Sequence, residues 1–191
     1  MTRSLFATLA GIAAIAGAAI AQAQDASSTV TLSGTVDEAC FLGNPDVETL
    51  DLDDITGPDG RLDTSLTGAA VVATATIADA WCNSPSILSI NGAPLTLQAA
   101  PAYATPAGFA RQTTYNATLV GWPSDLVDRP IEGDLAKTQA ATEARAAPTP
   151  GLVLNISDLE TLAPGGTVET PELVLEAGAY SAEIVISVSL N

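Results

Sequence analysis

Apolar residues in this chain recur mostly at every second position, the period of a half-buried strand, and long runs of helical period are missing. Val30, Leu32 and Val36 alternate with Thr31, Ser33 and Thr35, and Gly34 takes the remaining inward place. Residues 47–52, 69–77, 113–120 and 152–156 read as further strands. Between residues 86–90 and 95–97 stands Asn91-Gly92, a pair that accepts the positive φ angles of a type I′ turn, so these two runs are predicted to form a hairpin. The last strand is the most regular. Tyr180, Ala182, Ile184, Ile186, Val188 and Leu190 fall on one face, Ser181, Glu183, Ser187 and Ser189 on the other, and only Val185 breaks the polar side.

A strand from residue 180 to 190 would run roughly 36 Å at the usual rise, and one clean apolar face of that length demands a second sheet to cover it. The predicted fold is therefore all-β, two packed antiparallel sheets of about seven or eight strands. Residues 137–151 are rich in Ala, Thr and Pro; 136–147 could form a short exposed helix, which Pro148 and Pro150 would end. This stretch reads as a surface excursion within one domain.

The first residues change the picture. Arg3 precedes an alanine-rich apolar run from Leu5 to Ile20, and Ala21-Gln22-Ala23 has the small-x-small pattern of a signal-peptidase site. Residues 1–23 read as a secretory signal, leaving 24–191 as a single domain. A membrane anchor is the competing reading, disfavoured because the run is only weakly hydrophobic and no Lys/Arg stop-transfer flank follows. No second apolar run is long enough to cross a membrane, so the mature chain is expected to stay out of the bilayer. Cys40 and Cys82 are the two cysteines of the sequence. In an exported chain an even number most simply pairs, and the link would constrain the unfolded state by ~4 kcal/mol on the chain-entropy account.

Charge removes much of the remaining functional range. With 22 acidic and 6 basic residues the formal net charge is −16, which repels nucleic acid and anionic membrane surfaces. The chain has no histidine. Ser-His and Cys-His nucleophile pairs, imidazole metal sites and the commonest general base near neutral pH are thereby excluded. Paired carboxylates for glycoside chemistry are numerous only because the whole chain is acidic, so no enzyme and no cofactor is expected. Asp51, Asp53, Asp54, Asp59 and Asp63 offer hard oxygen ligands, making Asp51, Asp53, Asp59 and Asp63 a calcium candidate. The spacing departs from an EF-hand loop, and Gly57-Pro58 and Asp59-Gly60 suit solvated turns equally. Phe41, Trp81, Tyr103, Phe109, Tyr115 and Trp122 can in principle stack on sugar, with Trp122, in Gly121-Trp122-Pro123, expected to be the most exposed. An aromatic content of 4% argues against an extended sugar platform. Asn116-Ala117-Thr118 and Asn155-Ile156-Ser157 match the glycosylation sequon. Trp81 and its neighbour Cys82 must point to opposite faces of a strand, so the tryptophan-on-disulfide packing of antibody domains is excluded here.

Three features in order carry a family resemblance: the alternating run from Val30 to Val36 closing on Cys40, the return at Trp81-Cys82-Asn83-Ser84-Pro85, and the ending Ala177-Gly-Ala-Tyr180 through Leu190-Asn191. Together with the signal segment and low lysine content they resemble bacterial chaperone–usher pilins, and within them the archaic branch with spore coat protein U-like domains. The resemblance implies an immunoglobulin-like antiparallel β-sandwich lacking one strand, which a partner chain donates. It implies as partners a periplasmic chaperone, an outer-membrane usher and neighbouring pilin subunits, with passage through the periplasm to a cell-surface fibre. Val30, Leu32, Gly34 and Val36 would be the donor strand within residues 24–36, and Tyr180, Ile184, Ile186, Val188 and Leu190 would form the groove strand. In the mature chain only residues 24–39 precede Cys40, so one segment would have to serve as donor arm and first strand together, or else the chain donates no strand and is a tip subunit or a self-complete domain. The expected function is a non-enzymatic structural subunit of an exported fibre serving adhesion or biofilm formation. The alternative is a self-complete secreted β-sandwich that binds carbohydrate or calcium.

Overall fold

The computed structural model describes residues 31–170 and 173–191. Residues 1–23, expected to be a signal segment, and Val30 lie outside the described residues. The chain divides into two units, Met1–Thr35 and Val36–Asn191. In the first, residues 31–35 carry no regular structure and are exposed. The second holds every described strand: β1 (Cys40–Leu42), β2 (Val71–Ile77), β3 (Ala80–Cys82), β4 (Ser86–Gly92), β5 (Leu95–Leu97), β6 (Phe109–Ala110), β7 (Gln112–Val120), β8 (Leu126–Asp128), β9 (Lys137–Ala141), β10 (Arg145–Ala146), β11 (Leu152–Thr161), β12 (Val174–Leu175), β13 (Tyr180–Ser181) and β14 (Ile184–Leu190). No α-helix occurs among the described residues, and no helix there is long and apolar enough to cross a membrane.

The strands form a sandwich-like arrangement of antiparallel sheets, with one short parallel pair, β6 with β12. In one layer β3 and β4 form the central line. β1 and β14 pair along one side of that line, β10 and β9 along the other. The second layer has the order β13-β5-β7-β11-β2, with β8 also on β7. Leu88 and Ile90 of β4 meet Ala75 and Ile77 of β2, Tyr115, Ala117 and Leu119 of β7, and Leu152, Leu154 and Ile156 of β11 in one buried cluster. These are the every-second positions of their strands, as the pleat requires. On β11 the inward set shifts phase from Ile156 to Leu159. A register shift lies there, and Asp158 takes φ 53° within it, so the bulge returns an apolar residue to the core.

Three expectations are corrected. Residues 86–90 and 95–97 do not form a hairpin: β4 pairs with β9 and β14, whereas β5 pairs with β7 and β13 in the other layer. Asn91-Gly92 is the end of β4 instead of a turn, and the chain crosses between layers at Ala93-Pro94. The glycine is needed for close approach, since a Cβ there would stand 2.6 Å from the Pro130 ring and 3.2 Å from both Asp128 Oδ2 and Tyr115 Oη. The stretch 136–147 is not helical but supplies β9 and β10, because its Ala and Thr positions find the open side of β3 and β4. Residues 180–190 are not one strand. Tyr180 and Ser181 pair with Leu97 and Thr96, while Ile184 to Leu190 pair with Gly92 to Ser86, so the chain changes layer at Ala182-Glu183 without losing its alternation.

The layer crossing is locked by buried polar groups. Gly92 N–H donates to Asp128 Oδ2 (2.7 Å) and the Tyr115 hydroxyl donates to the Ala93 carbonyl (2.8 Å). Asp128 is almost wholly buried, and its Oδ1 has no partner. Burial pushes this carboxyl above the ordinary aspartate range. The Gly92 amide, Lys137 and the Arg129 amide oppose the shift, and Asp134 adds to it.

Two outcomes are expected. Gly92→Ala forces a methyl group against Pro130 and should cost about 2 kcal/mol by denaturant unfolding, in the range of overpacked cores. A cost near zero would mean that the crossing is loosely packed. For Asp128, the native state holds its proton more tightly than the unfolded chain, so ionisation weakens the fold as pH rises from the ordinary aspartate value through the raised one. Asp128→Asn should therefore gain stability relative to the parent as the pH rises above the ordinary aspartate value, read as a melting-temperature difference that grows with pH. A difference independent of pH would contradict the assigned protonation.

Candidate functional site

The two layers are closed along one side, where β8 pairs with β7 and lies against β4 and β9. On the opposite side they stay apart. There an apolar groove of about 1210 Å³ opens between β14 of one layer and β2 of the other. Ile184 and Ile186 form one wall, Ala75 and Ile77 the other, and Leu154 and Ile156 of β11 the floor. The volume exceeds the ~300–1,000 Å³ of small-molecule pockets. Its shape follows from the strands, since it runs along the first residues of β14, where Ile184 and Ile186 face it.

Both walls end in open backbone. Among the described residues β14 pairs only with β4, so its other side has no ladder partner. β2 pairs with β11, and its far side meets the rest of the described chain only at one end. There Pro45 bridges Ile77, Asp46 N–H donates to the Thr76 carbonyl (2.8 Å) and Thr76 N–H donates to Asp46 Oδ1 (2.6 Å). An edge with unpaired N–H and C=O groups is a template for another strand. The rim is acidic: Glu48, Asp51, Asp53, Asp54, Glu176 and Glu183 all line it.

Of the predicted groove strand, Ile184 and Ile186 line the groove, and Val188 packs, half-buried, against the same core. Tyr180 also lines the groove but from β13, in the other layer; its hydroxyl donates to the Glu176 carbonyl (2.8 Å), and burial pushes it up to about 12. Leu190 is 41% exposed at the end of β14, because the cover expected over it is absent from the described chain. Of the predicted donor residues, Leu32 is 98% and Val36 86% exposed, and Gly34 has nothing within 4 Å of an added Cβ.

Cys40 and Cys82 form the expected disulfide, joining directly opposed residues of β1 and β3. Cys82 points inward and Trp81 outward. Trp81 is 40% exposed and stacks on Phe41 with ring centroids 6.2 Å apart. Trp122, expected at the surface, is 5% exposed and belongs to the core cluster.

The aspartate cluster is occupied with its own backbone. Asp51, Asp54, Asp59 and Asp63 each accept the amide two residues onward, at Asp53, Thr56, Arg61 and Ser65. Hydrogen bonds from Thr56 hold the Asp54 carboxyl below its ordinary value, and those from Ser65 do the same for Asp63. Among the described residues no three acidic or sulfur side chains are grouped to hold a metal. The sequon residues Asn116 and Asn155 are half-buried on strands and bond to Asp158 and Thr74.

The strand expected over residues 47–52 is corrected, and one arrangement, around Arg129, had no sequence signal. Residues 47–56 are not a strand yet line the groove, with Leu50 and Leu52 turned to the core. Arg129, just after β8, gathers Asp158, Glu160 and Glu169 with Asn116, tying β8 to the β11 bulge. The alternation of Leu50 and Leu52 was visible, but an alternating run says nothing of whether its backbone finds a neighbour.

Comparisons with protein-family models, curated proteins and solved structures found no match.

If the groove is open as described, truncating its wall should cost less than truncating the closed core. Ile186→Ala is expected to destabilise by about 1 kcal/mol, against about 3 kcal/mol for Leu88→Ala. Equal costs in urea unfolding would show that Ile186 is fully covered in solution.

Proposed function

We propose that this chain is a non-enzymatic structural subunit of an exported surface fibre, assembled when one subunit donates a strand to the groove of the next. The observation that carries the reading is the groove itself, an apolar channel with an unpaired backbone edge on each side. A ligand that satisfies both edges and the floor is an extended chain with apolar residues at every second position. Val30, Leu32, Gly34 and Val36 have that pattern, and the described members of the comb lie exposed. Burying a Leu or Val side chain contributes ~1.5–3 kcal/mol, and each ladder hydrogen bond adds ~0.5–1.5 kcal/mol net, so a short inserted strand is a strong joint. During export a periplasmic chaperone would cover the groove and an outer-membrane usher would hand the subunit on. Adhesion or biofilm formation is the role such a fibre serves.

The test is expression of residues 24–191 in an oxidising compartment, followed by gel electrophoresis in SDS with and without boiling. The reading expects a ladder that collapses on boiling, and Leu32→Asp should abolish the ladder while leaving the subunit folded. A cooperative monomer that forms no ladder, or normal ladders from Leu32→Asp, would overturn it. The first of those outcomes would favour a self-complete secreted sandwich, with the exposed Phe41–Trp81 stack as its binding face.

A further inference from the structure

The groove is not bare. Residues 47–53 run along it, and Leu50 and Leu52 turn in to pack on the core while Thr49, Asp51 and Asp53 face water. This is the side-chain pattern of an inserted strand without its hydrogen bonds. The bond made within this stretch is local, from Asp53 N–H to Asp51 Oδ1 (2.9 Å), and no ladder bond joins it to β14 or to the free side of β2. Both ends are anchored. Gly43 N–H donates to the Asp79 carbonyl (2.6 Å) and Asp46 is doubly bonded to Thr76; at the other end Asp63 N–H donates to the Ile55 carbonyl (3.0 Å), and Thr56 and Leu62 form a bridge.

We infer that residues 47–53 are a strap that lies over the groove of the free subunit, lining it, and swings away when an incoming strand is laid between β14 and β2. This deepens the strand-accepting function and rests on it. Two half-buried leucines shield the floor from water, yet a segment held by side chains alone, with its backbone unpaired, belongs to the low-stability end of a fold. An incoming strand replaces the two leucines with its own comb and also satisfies both edges. The anchors at Asp46 and Ile55 let the strap swing out while β1 and β2 stay in place. Asp51 and Asp53 favour release into water, and Asp53 takes a left-handed backbone (φ 54°) at the end of the strap. The strap therefore sets the rate of assembly: a groove that must be vacated is entered in proportion to the fraction of time it is vacant.

The experiment uses the chain 24–191 carrying Leu32→Asp, which cannot donate, and a fluorescent peptide of residues 24–39 as the incoming strand. Leu50→Ser with Leu52→Ser should raise the association rate about tenfold or more, because the strap no longer competes. An unchanged rate overturns the strap while leaving strand acceptance intact. Absence of peptide binding to either chain overturns strand acceptance and the strap with it. A second readout avoids dependence on the folding of the double variant. In Leu50→Cys, with the Cys40–Cys82 link closed, alkylation of the new thiol should be slow in the free chain and speed up at least tenfold once peptide is bound. Alkylation that is unchanged or slower on binding shows that the strap stays in the groove.

Discussion

A β-strand with an open backbone edge over an apolar floor is tolerable in water only while something covers it, and this molecule places two such edges opposite each other. Everything else in the sandwich bears on how they came to be apart. β4 has neighbours on both sides, and so have β7 and β11, so the interior of each layer is satisfied. β14 and β2 are each satisfied on one side. Their inner faces contribute Ile184, Ile186, Ala75 and Ile77 to one channel, so the unpaired edges and the apolar lining suit the same object, an extended chain. A small molecule would answer the apolar floor and leave the edges unpaired.

The layers are tied to each other where the chain crosses between them. Asp128 reaches from the end of β8 to the Gly92 amide, and Tyr115 reaches from β7 to the Ala93 carbonyl, so the point where the chain leaves one layer for the other is bonded to the strand that closes the sandwich. The residue at that point has no side chain because Pro130, Asp128 and Tyr115 already fill the space. With β8 pinned there, the two layers meet along one seam. Among the described residues no second element makes a seam along the other, where residues 47–53 supply two leucines and no ladder.

Much of this was legible in the residues. Period-two alternation marked β2, β7, β11 and β14, and the cysteines marked the disulfide, because burial of one face and export chemistry are local statements about local residues. Pairing was less legible. Asn91-Gly92 has the composition of a tight turn, yet the glycine is there for close packing against Pro130, a contact with a residue far along the chain that no local pattern announces. The run from Tyr180 to Leu190 keeps its alternation through Ala182-Glu183 while its partner changes from β5 to β4, since alternation records which face is buried and is silent about the neighbour. The stretch 136–147 looked helical by composition and became two strands because the open side of β3 and β4 was there to be filled. Residues 47–52 were the converse: the alternation was real, the inward leucines were real, and the ladder was absent.

The disulfide has a role in this arrangement beyond its effect on the unfolded chain. β1 and β14 lie along the same side of the β3–β4 line, β1 opposite Cys82 and β14 ending opposite Ser86. Tying Cys40 to Cys82 therefore fixes the start of the second unit in line with the edge of the groove, and Gly43 and Asp46 carry the chain from there across to the end of β2. The strap begins at that crossing. Its near anchor is thus held by a covalent bond three residues upstream of Gly43, which lets residues 47–53 depart without unravelling β1. A staple elsewhere in the sandwich would add stability of the same kind but would not separate the fixed part of this edge from the part that has to move.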